Sequence, residues 1–225
     1  MAAQYIIRLM SATAATTVHH LELGPDKHPA MTMRSICVFC GSNPGSDGVY
    51  AATARALAQA IAARGMRIVY GGGNIGLMGA LAEAALAAGV PVTGVIPHAL
   101  LEREVGHRGL VDLRVVNSMH ERKALMAELA DAFVALPGGL GTFEELFEML
   151  TWVQLGIHRK PCGVLNVEGF YDNLITFLDH AVTVGFLKAE HRRILVIEQD
   201  PQALLDRLAA QRLPEVRRWI ERDQT

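Results

Sequence analysis

The sequence predicts an α/β fold: a doubly wound, mainly parallel sheet of about seven strands with helices on both faces. From residue 35 onward, short and nearly continuously apolar runs alternate with amphipathic stretches rich in Ala and Leu. Apolar runs without polar alternation are typical of strands that are buried on both faces of a parallel sheet. A repeated order of strand, helix and strand requires right-handed crossovers, which place helices on both faces.

The predicted strands are short apolar runs, and the predicted helices are longer stretches with helical spacing of apolar residues. The strands cover residues 35–41, 66–72, 91–97, 113–118, 131–139, 161–167 and 193–199. The helices cover residues 49–64, 76–88, 119–130, 142–155, 171–183 and 201–211. No repeat or low-complexity linker separates these elements, so we expect residues 34–225 to form a single domain.

Residues 1–33 differ in composition from the rest and are rich in Ala, Thr and Ser. Arg8 interrupts the apolar stretch that a secretion signal would need, and a mitochondrial presequence would carry more arginine. We expect a disordered leader, or an upstream start with Met31 or Met33 opening the functional chain. The longest stretch without Asp, Glu, Lys or Arg, 84–101, is broken by Gly and Pro, so we expect neither a transmembrane helix nor a membrane partner.

Charge and cysteine content exclude further classes of protein. The chain has 21 Lys and Arg against 23 Asp and Glu, a net charge of −2, so we expect no nucleic-acid partner. Its three cysteines cannot form a disulfide framework, which indicates a reducing, cytoplasmic location. Cys37 and Cys40 form a CxxC, but a spacing of three puts them on opposite sheet faces, and no second pair could complete a zinc site. Buried, unreactive thiols and no metal site are therefore predicted.

Glycine-rich turns follow three of the predicted strands. CGSNPG follows the first strand, GGGNIGLMG the second and PGGLGT the fifth. In open α/β sheets, ligands bind beyond the carboxyl ends of the strands, where helix N-termini present free N–H groups. These turns therefore predict a crevice for an anion at one edge of the sheet.

The second turn also matches the dinucleotide motif GxGxxG at Gly71, Gly73 and Gly76. A dinucleotide site additionally needs an acidic residue at the end of the next strand to hold the ribose, and that strand ends in VIPH. The motif also follows the second strand rather than the first, and no Gly-Lys pair is present for a P-loop. We therefore expect no NAD(P) cofactor.

The segment PGGLGTFEE, residues 137–145, carries the most specific chemical signal. Its glycines let a ligand approach the backbone, and Thr142 is predicted to cap the following helix and to offer a hydroxyl. Glu144 and Glu145 could simply stabilise the first turn of that helix. Because carboxylates repel a phosphate, the alternative is that they bind ribose hydroxyls or stabilise positive charge at the anomeric carbon.

A second charged segment, MHERK, opens the helix after the fourth strand. Cations at a helix N-terminus oppose the helix dipole. Arg122 and Lys123 therefore indicate an anionic ligand or the glutamates opposite, unless they are a plain surface pair. We interpret His120 as a helix cap or a partly buried contact rather than a general base.

Together these motifs resemble a known family. CVFCGSNPG, YGGGNIGLMG, MHERKALM, PGGLGTFEE and TWVQLGIHRKP, in this order and spacing, are similar to those of the Lonely Guy (LOG) cytokinin riboside 5′-monophosphate phosphoribohydrolases, over roughly residues 34–213. The resemblance implies a Rossmann-like homodimer that uses no cofactor and cleaves the N-glycosidic bond of a nucleoside 5′-monophosphate. The substrates would be cytokinin riboside 5′-monophosphates, AMP or both, and the products a free base and ribose 5-phosphate.

The resemblance also implies roles for individual residues. Arg122, Glu144 and Glu145 are the expected catalytic residues, with Glu144 favoured over its neighbour. The residues expected to bind substrate, from the resemblance and the glycine-rich turns together, are Gly41, Ser42, Gly73, Glu104, Met119, Arg122, Lys123, Gly138, Gly139, Leu140, Gly141, Thr142, Phe143, Glu144 and Thr151.

Three alternatives stay open. Proteins with these motifs have been labelled lysine decarboxylases, which would require pyridoxal phosphate on a lysine. The chain has only four lysines, and nothing around Lys123, beside Arg122, resembles a cofactor cradle. A non-catalytic nucleotide carrier or sensor would share the fold and the turns, but would not need two glutamates opposite an arginine. A nucleosidase acting broadly on nucleoside monophosphates has the same sequence features as a cytokinin-specific enzyme.

Overall fold

A computed structural model describes residues 32–101, 106–107 and 109–215. Nearly all of the predicted leader, the predicted substrate contact at Glu104 and the end of the C-terminal tail lie outside the described residues. The described strands form one sheet, and helices pack on both of its faces.

The sheet has seven strands, and every neighbouring pair is parallel, as the sequence predicts. The strands are β1 (Ser35–Phe39), β2 (Arg67–Tyr70), β3 (Val92–Pro97), β4 (Asp112–Val116), β5 (Ala132–Ala135), β6 (Cys162–Leu165) and β7 (Leu195–Glu198). Their order across the sheet is β4-β3-β2-β1-β5-β6-β7. The chain thus builds from β1 to one edge, then crosses back and places β5 on the other side of β1.

The helices are α1 (Gly48–Ala63), α2 (Gly76–Ala87), α3 (His98–Leu101), α4 (Met119–Leu129), α5 (Leu140–Gln154), α6 (Asp172–Thr183), α7 (Ala189–Arg192) and α8 (Pro201–Ala210). Every predicted helix is confirmed, with ends that shift by at most two residues. The short α3 and α7 and a 3₁₀ turn at Val167–Gly169 were missing from the prediction, because three or four residues are too few to show periodicity. None of the helices in the described ranges is long and apolar enough to cross a membrane.

Two apolar layers hold the helices on the sheet. Ile36 and Tyr70 belong to the layer under α1, α2 and α8, whereas Cys37 and Phe133 belong to the layer under α4, α5 and α6. Ile36 and Cys37 lie in opposite layers because successive strand residues point to opposite faces. Full burial of a Leu, Ile or Phe side chain stabilises the folded state by about 1.5–3 kcal/mol relative to leaving that side chain exposed. The doubly covered sheet explains why the central strands are mostly apolar, whereas β4 at one edge is only partly buried and carries Asp112 and Arg114.

Six of the seven strands, all but β3, end earlier than predicted at their carboxyl ends, and this difference places the candidate site. β5 is predicted over 131–139 but ends at Ala135, because Pro137 has no N–H for the ladder and two glycines follow it. β1 likewise ends at Phe39 and is followed by the CGSNPG turn. Since β1 and β5 are neighbours at the point where the strand order reverses, their loops leave the sheet side by side. This reversal point is where open α/β sheets bind ligands.

Candidate active site

A cavity of about 310 Å³ lies at the carboxyl ends of β1, β2 and β5, as the glycine-rich turns predict. Its walls come from the end of β1 and the loop after it, and from Gly71, Met78, Leu100, Met119, Arg122 and the first two turns of α5. The N–H of Gly41 donates a hydrogen bond to the carbonyl of Pro137 at 3.1 Å, which joins the two glycine-rich loops. Gly41 also lines the cavity, and its expected contact with substrate stays a prediction, although its N–H already has this partner within the chain. The adjacent Ser42 lines the cavity.

Helix α5 begins at Leu140, directly after Gly139 and two residues earlier than predicted. Gly139 is the N-cap and supplies no side-chain hydrogen bond, so the prediction that Thr142 caps this helix is wrong. Thr142 is the third helical residue, because the glycine loop turns straight into the helix; its side chain is buried against Gly138 and lines the cavity. The first N–H groups of a helix, here those of Leu140, Gly141 and Thr142, have no partner within it. The start of α5 is therefore suited to an anion.

Glu144 and Glu145 lie in the second turn of α5, not in the first turn as predicted, because the helix begins earlier. They therefore contribute little to the stability of the helix N-terminus, since the dipole effect fades beyond the first turn. Both line the cavity. The Glu144 side chain is 53% exposed, whereas Glu145 is buried. The cavity thus holds two carboxylates in different environments.

Arg122 on α4 is only 5% exposed and reaches the same cavity. Its Nε donates a hydrogen bond to the carbonyl of Val95 at 3.1 Å, and its Nη2 donates one to the carbonyl of Gly71 at 3.0 Å. These carbonyls belong to β3 and to the residue after β2, so two neighbouring strands fix the plane of the guanidinium. A buried charge needs such hydrogen bonds, and the planar arginine fork supplies several donors.

The pKa values of the Cys37 and Cys40 thiols reflect two charged groups at the cavity, Glu145 and Arg122. Burial raises the pKa of both thiols, the Glu145 carboxylate raises it further, and the Arg122 guanidinium opposes this increase. Glu145 and Arg122 therefore act on the same small region at the end of β1. Both thiols stay protonated near neutral pH, as expected of unreactive cysteines, although Cys40 is partly exposed at the cavity wall.

Lys123 does not line the cavity. Its ammonium pairs with Glu144, and with Glu148 at 3.0 Å, so it ties α4 to α5. Burial lowers the pKa of Lys123, but hydrogen bonds with the Glu144 and Glu148 carboxylates outweigh burial and raise it overall. A lysine that forms a Schiff base must first lose its proton. This pairing therefore disfavours the pyridoxal phosphate alternative at Lys123.

Helix α4 starts with a side-chain cap. The Oγ of Ser118 accepts a hydrogen bond from the N–H of Glu121 at 3.1 Å, and Glu121 Oε2 accepts one from the N–H of Asn117 at 2.8 Å. The interpretation of His120 as a cap or a partly buried contact is wrong: His120 is exposed, and the Ser118 hydroxyl is the group within reach of the first turn. Arg122 and Lys123, the two cations of this helix, are both buried, so they are not a plain surface pair.

The GxGxxG segment packs against the loop after β1. The N–H of Leu77, in the first turn of α2, donates to the carbonyl of Gly41 at 3.0 Å, and a Cβ on Gly76 would overlap the backbone of Ser42. The loop therefore occupies the place where a dinucleotide site would hold the pyrophosphate. Gly73 is buried, bridges to Gly106 and does not line the cavity.

Comparisons with known proteins identify the family. A family model described as "Possible lysine decarboxylase" matches residues 78–208. The chain is 50% identical to "Cytokinin riboside 5'-monophosphate phosphoribohydrolase LOG2" of Arabidopsis thaliana, over 78% of this chain and 82% of that protein. It is 52% identical to "Cytokinin riboside 5'-monophosphate phosphoribohydrolase LOG" of Oryza sativa subsp. japonica, over 72% of this chain and 67% of that protein. The chain belongs to the LOG family.

Solved structures show the same fold at lower identity. The molybdenum cofactor binding protein of Rippkaea orientalis aligns with a TM-score of 0.60 and 20% identity, over 80% of this chain and 98% of that one. The Moco carrier protein of Chlamydomonas reinhardtii aligns with a TM-score of 0.58 and 21% identity, over 78% and 97% of the two chains. At this identity the likeness concerns the fold alone.

Some residues expected from the LOG resemblance lie away from the cavity. Phe143 packs its ring against those of Phe170 and Tyr171. Thr151 is exposed on α5 and lines a separate groove of about 80 Å³, together with Leu178 of α6. The structure therefore does not bring Phe143, Thr151, Lys123, Gly73 or Gly138 to the cavity wall within a single chain.

Sequence reasoning missed several apolar wall residues. Met78 on α2 and Leu100 on α3 line the cavity, as does Phe39 at the end of β1. Their side chains carry no polar signal that separates them from the core. Their positions after the carboxyl ends of β2 and β3, or at the end of β1 itself, were the signal that could have found them.

Proposed function

We propose that this protein hydrolyses the N-glycosidic bond of nucleoside 5′-monophosphates, namely cytokinin riboside 5′-monophosphates, AMP or both. The products are the free base and ribose 5-phosphate. The proposal is carried by one observation: a helix N-terminus, a buried arginine and two carboxylates line the same cavity. The two relatives at 50% and 52% identity are named as phosphoribohydrolases, which supports the same reaction.

The 5′-phosphate positions the substrate. The first-turn N–H groups of α5 and the hydroxyls of Thr142 and Ser42 belong to residues that line the cavity, and together they suit a phosphate dianion. Binding energy from this non-reacting group holds the ribose in place, which lowers the entropic part of the barrier. The anomeric carbon then lies toward the glutamates.

The reaction passes through a transition state with positive charge at C1′. The oxygen of water forms a bond to C1′, the bond from C1′ to the base nitrogen breaks, water loses a proton and the base gains one. We assign to Glu144 and Glu145, as a pair, the binding of ribose hydroxyls, the stabilisation of the cation and the activation of water. Of the two, Glu144 is the favoured catalytic glutamate. Arg122 orients the glutamates or polarises the leaving base.

A substrate panel tests this proposal. The protein is incubated with AMP, isopentenyl-AMP, CMP and the corresponding nucleosides, and free base and ribose 5-phosphate are measured. We expect release from a purine monophosphate and far slower release from its nucleoside, because the phosphate handle is missing. Equal rates on nucleoside and monophosphate would contradict the handle. Tight binding of AMP without any release of base would favour the carrier or sensor alternative.

We also propose that the protein is a cytoplasmic homodimer. The LOG resemblance supports a homodimer, and Thr151, an expected substrate contact, lies exposed on α5 away from the cavity of its own chain. Light scattering should then give twice the 24.4 kDa mass of the chain.

The proposed cytoplasmic location is supported by the free thiols, which are typical of a reducing compartment. Recovery of the protein in the cytosolic fraction would test the location.

A further inference from the structure

We infer that Gly71 is a positioning residue whose missing side chain provides the seat for the guanidinium of Arg122; the catalytic part of this inference rests on the proposed function. Gly71 directly follows β2, is buried and lines the cavity. Its carbonyl accepts the hydrogen bond from Arg122 Nη2 at 3.0 Å. The same glycine therefore both binds the guanidinium and leaves room for it.

The space that a side chain would fill is already occupied. A Cβ on Gly71 would overlap Nη2 of Arg122, and it would lie 3.3 Å from Arg122 Cζ and 3.2 Å from Met78 Sδ. The atoms that it meets are the ends of flexible side chains rather than backbone. An alanine at this position should therefore displace the guanidinium and leave the sheet intact.

Backbone conformation does not explain this glycine. Gly72 has a φ of 78° and Gly76 a φ of 59°, values that other residues rarely adopt, whereas Gly71 is not among the glycines with positive φ. An alanine at position 71 is compatible with the backbone in this respect. The feature of Gly71 that calls for glycine is the contact with Arg122.

The seat fixes the guanidinium relative to the carboxylates. Nη2 is held by the Gly71 carbonyl and Nε by the Val95 carbonyl at 3.1 Å, so a side chain that displaces the Nη2 end changes the position of the whole group. Glu145 lies at the same cavity and acts with Arg122 on the Cys37 and Cys40 thiols. Because misplacement of a catalytic group by about 1 Å can cost about a hundredfold in rate, a shifted guanidinium should lower kcat.

A double-mutant cycle tests the seat through catalysis. The variants are Gly71→Ala, Arg122→Ala and their combination, with Gly48→Ala as the matched control, because a Cβ there meets no atom within 4 Å. We expect Gly71→Ala to lower kcat for AMP by about ten- to hundredfold with KM nearly unchanged, and the control to behave as wild type. In the Arg122→Ala background, Gly71→Ala should have no further effect on kcat. Equal effects in both backgrounds, or a normal kcat for Gly71→Ala, would overturn the proposal.

A thermal cycle tests the seat without activity. Gly71→Ala should lower Tm in the wild-type background but leave Tm of Arg122→Ala within about 2 °C, because the clash disappears with the guanidinium. An equal loss of Tm in both backgrounds would show that alanine clashes with something else and would overturn the seat. A wild-type protein that releases no base from any nucleotide would contradict the proposed function and the catalytic role together. The thermal cycle alone would still decide whether Gly71 seats Arg122.

Discussion

The neighbouring glutamates of α5 differ because the helix rotates them into different surroundings. Glu145 is buried near the end of β1, where its carboxylate contributes to raising the pKa of Cys37 and Cys40. Glu144 is about half exposed and pairs with Lys123. Two adjacent carboxylates can therefore take different parts in one reaction, one facing incoming substrate and water and the other set deeper against the sheet.

Removal of the charge at Glu144 or Arg122, two of the proposed catalytic residues, should strongly lower turnover without unfolding the protein. We expect Glu144→Gln and Arg122→Ala to lower kcat by about a hundredfold or more, because each loses an electrostatic contact with the transition state. Binding of AMP, measured by calorimetry, should persist. Glu190→Gln is a suitable control, since Glu190 is half exposed and lies on α7, away from the cavity. Near wild-type turnover of both variants would remove these assignments.

The three thiols should be protected in the folded protein. Burial raises the pKa of Cys37, Cys40 and Cys162, so at pH 8 almost none of each thiol is ionised, and the thiolate is the reactive form. We expect slow reaction with a thiol reagent such as DTNB in the native state, and rapid reaction of all three cysteines in guanidinium chloride. Rapid labelling of Cys40 in the native protein, located by mass spectrometry, would contradict the raised pKa at the cavity wall.

At the scale of elements, the contact between α4 and α5 depends on an ion-pair cluster. Lys123 of α4 pairs with Glu144 and Glu148, which stand one helical turn apart on α5. Without the lysine these two glutamates would repel each other. The cluster therefore joins the helix that carries Arg122 to the helix that carries the glutamates.

Loss of this cation should weaken the fold as well as the site. We expect Lys123→Met to lower the free energy of unfolding by about 1–2 kcal/mol, less than for a fully buried pair because Glu144 is half exposed. Lys188→Met should change it by less than about 0.5 kcal/mol, since Lys188 is 74% exposed and lies 3.8 Å from Glu190. Urea unfolding measures both. Equal losses in the free energy of unfolding for the two substitutions would show that the Lys123 cluster stabilises the protein no more than an exposed ion pair does.

At the scale of the whole molecule, the cavity is assembled from separate parts of the chain. The loop after β1, the residue after β2 and the start of α5 belong to segments that the sheet order brings together. A ligand in this cavity contacts both sides of the strand-order reversal. Its binding energy should therefore add to the stability of the folded domain.

Ribose 5-phosphate should stabilise the protein against heat. At about one hundred times its Kd, a ligand that binds only the folded state adds about 2.7 kcal/mol, which corresponds to an increase in Tm of about 5–10 °C for a domain of this size. Ribose without the phosphate is the control and should have little effect, because it cannot use the N-terminus of α5. Equal stabilisation by both sugars, measured by scanning calorimetry, would contradict the phosphate site.

Much of the fold could be predicted because it depends on local patterns. The apolar runs gave all seven strands, and the glycine-rich turns gave the edge of the sheet where the cavity lies. The details of the site were harder to predict. A shift of two residues at the start of α5 removed the cap from Thr142 and moved both glutamates to the second turn. Helix ends depend on how a loop enters the helix, which the sequence pattern defines only to within a few residues.

Periodicity and turn chemistry, which the sequence carries by itself, determined the parallel α/β sheet and the position of its crevice, and the resemblance of its motifs to a known family indicated the family. The tertiary structure decided which groups meet there: Arg122 on the carbonyl of Gly71, Lys123 on two glutamates rather than on a ligand, and Thr151 on an outer groove. The physical reason is the separation in sequence of the residues that interact. Strand and helix patterns arise from neighbours in the chain, whereas these contacts join residues far apart in sequence whose distances are set by strand order and helix packing.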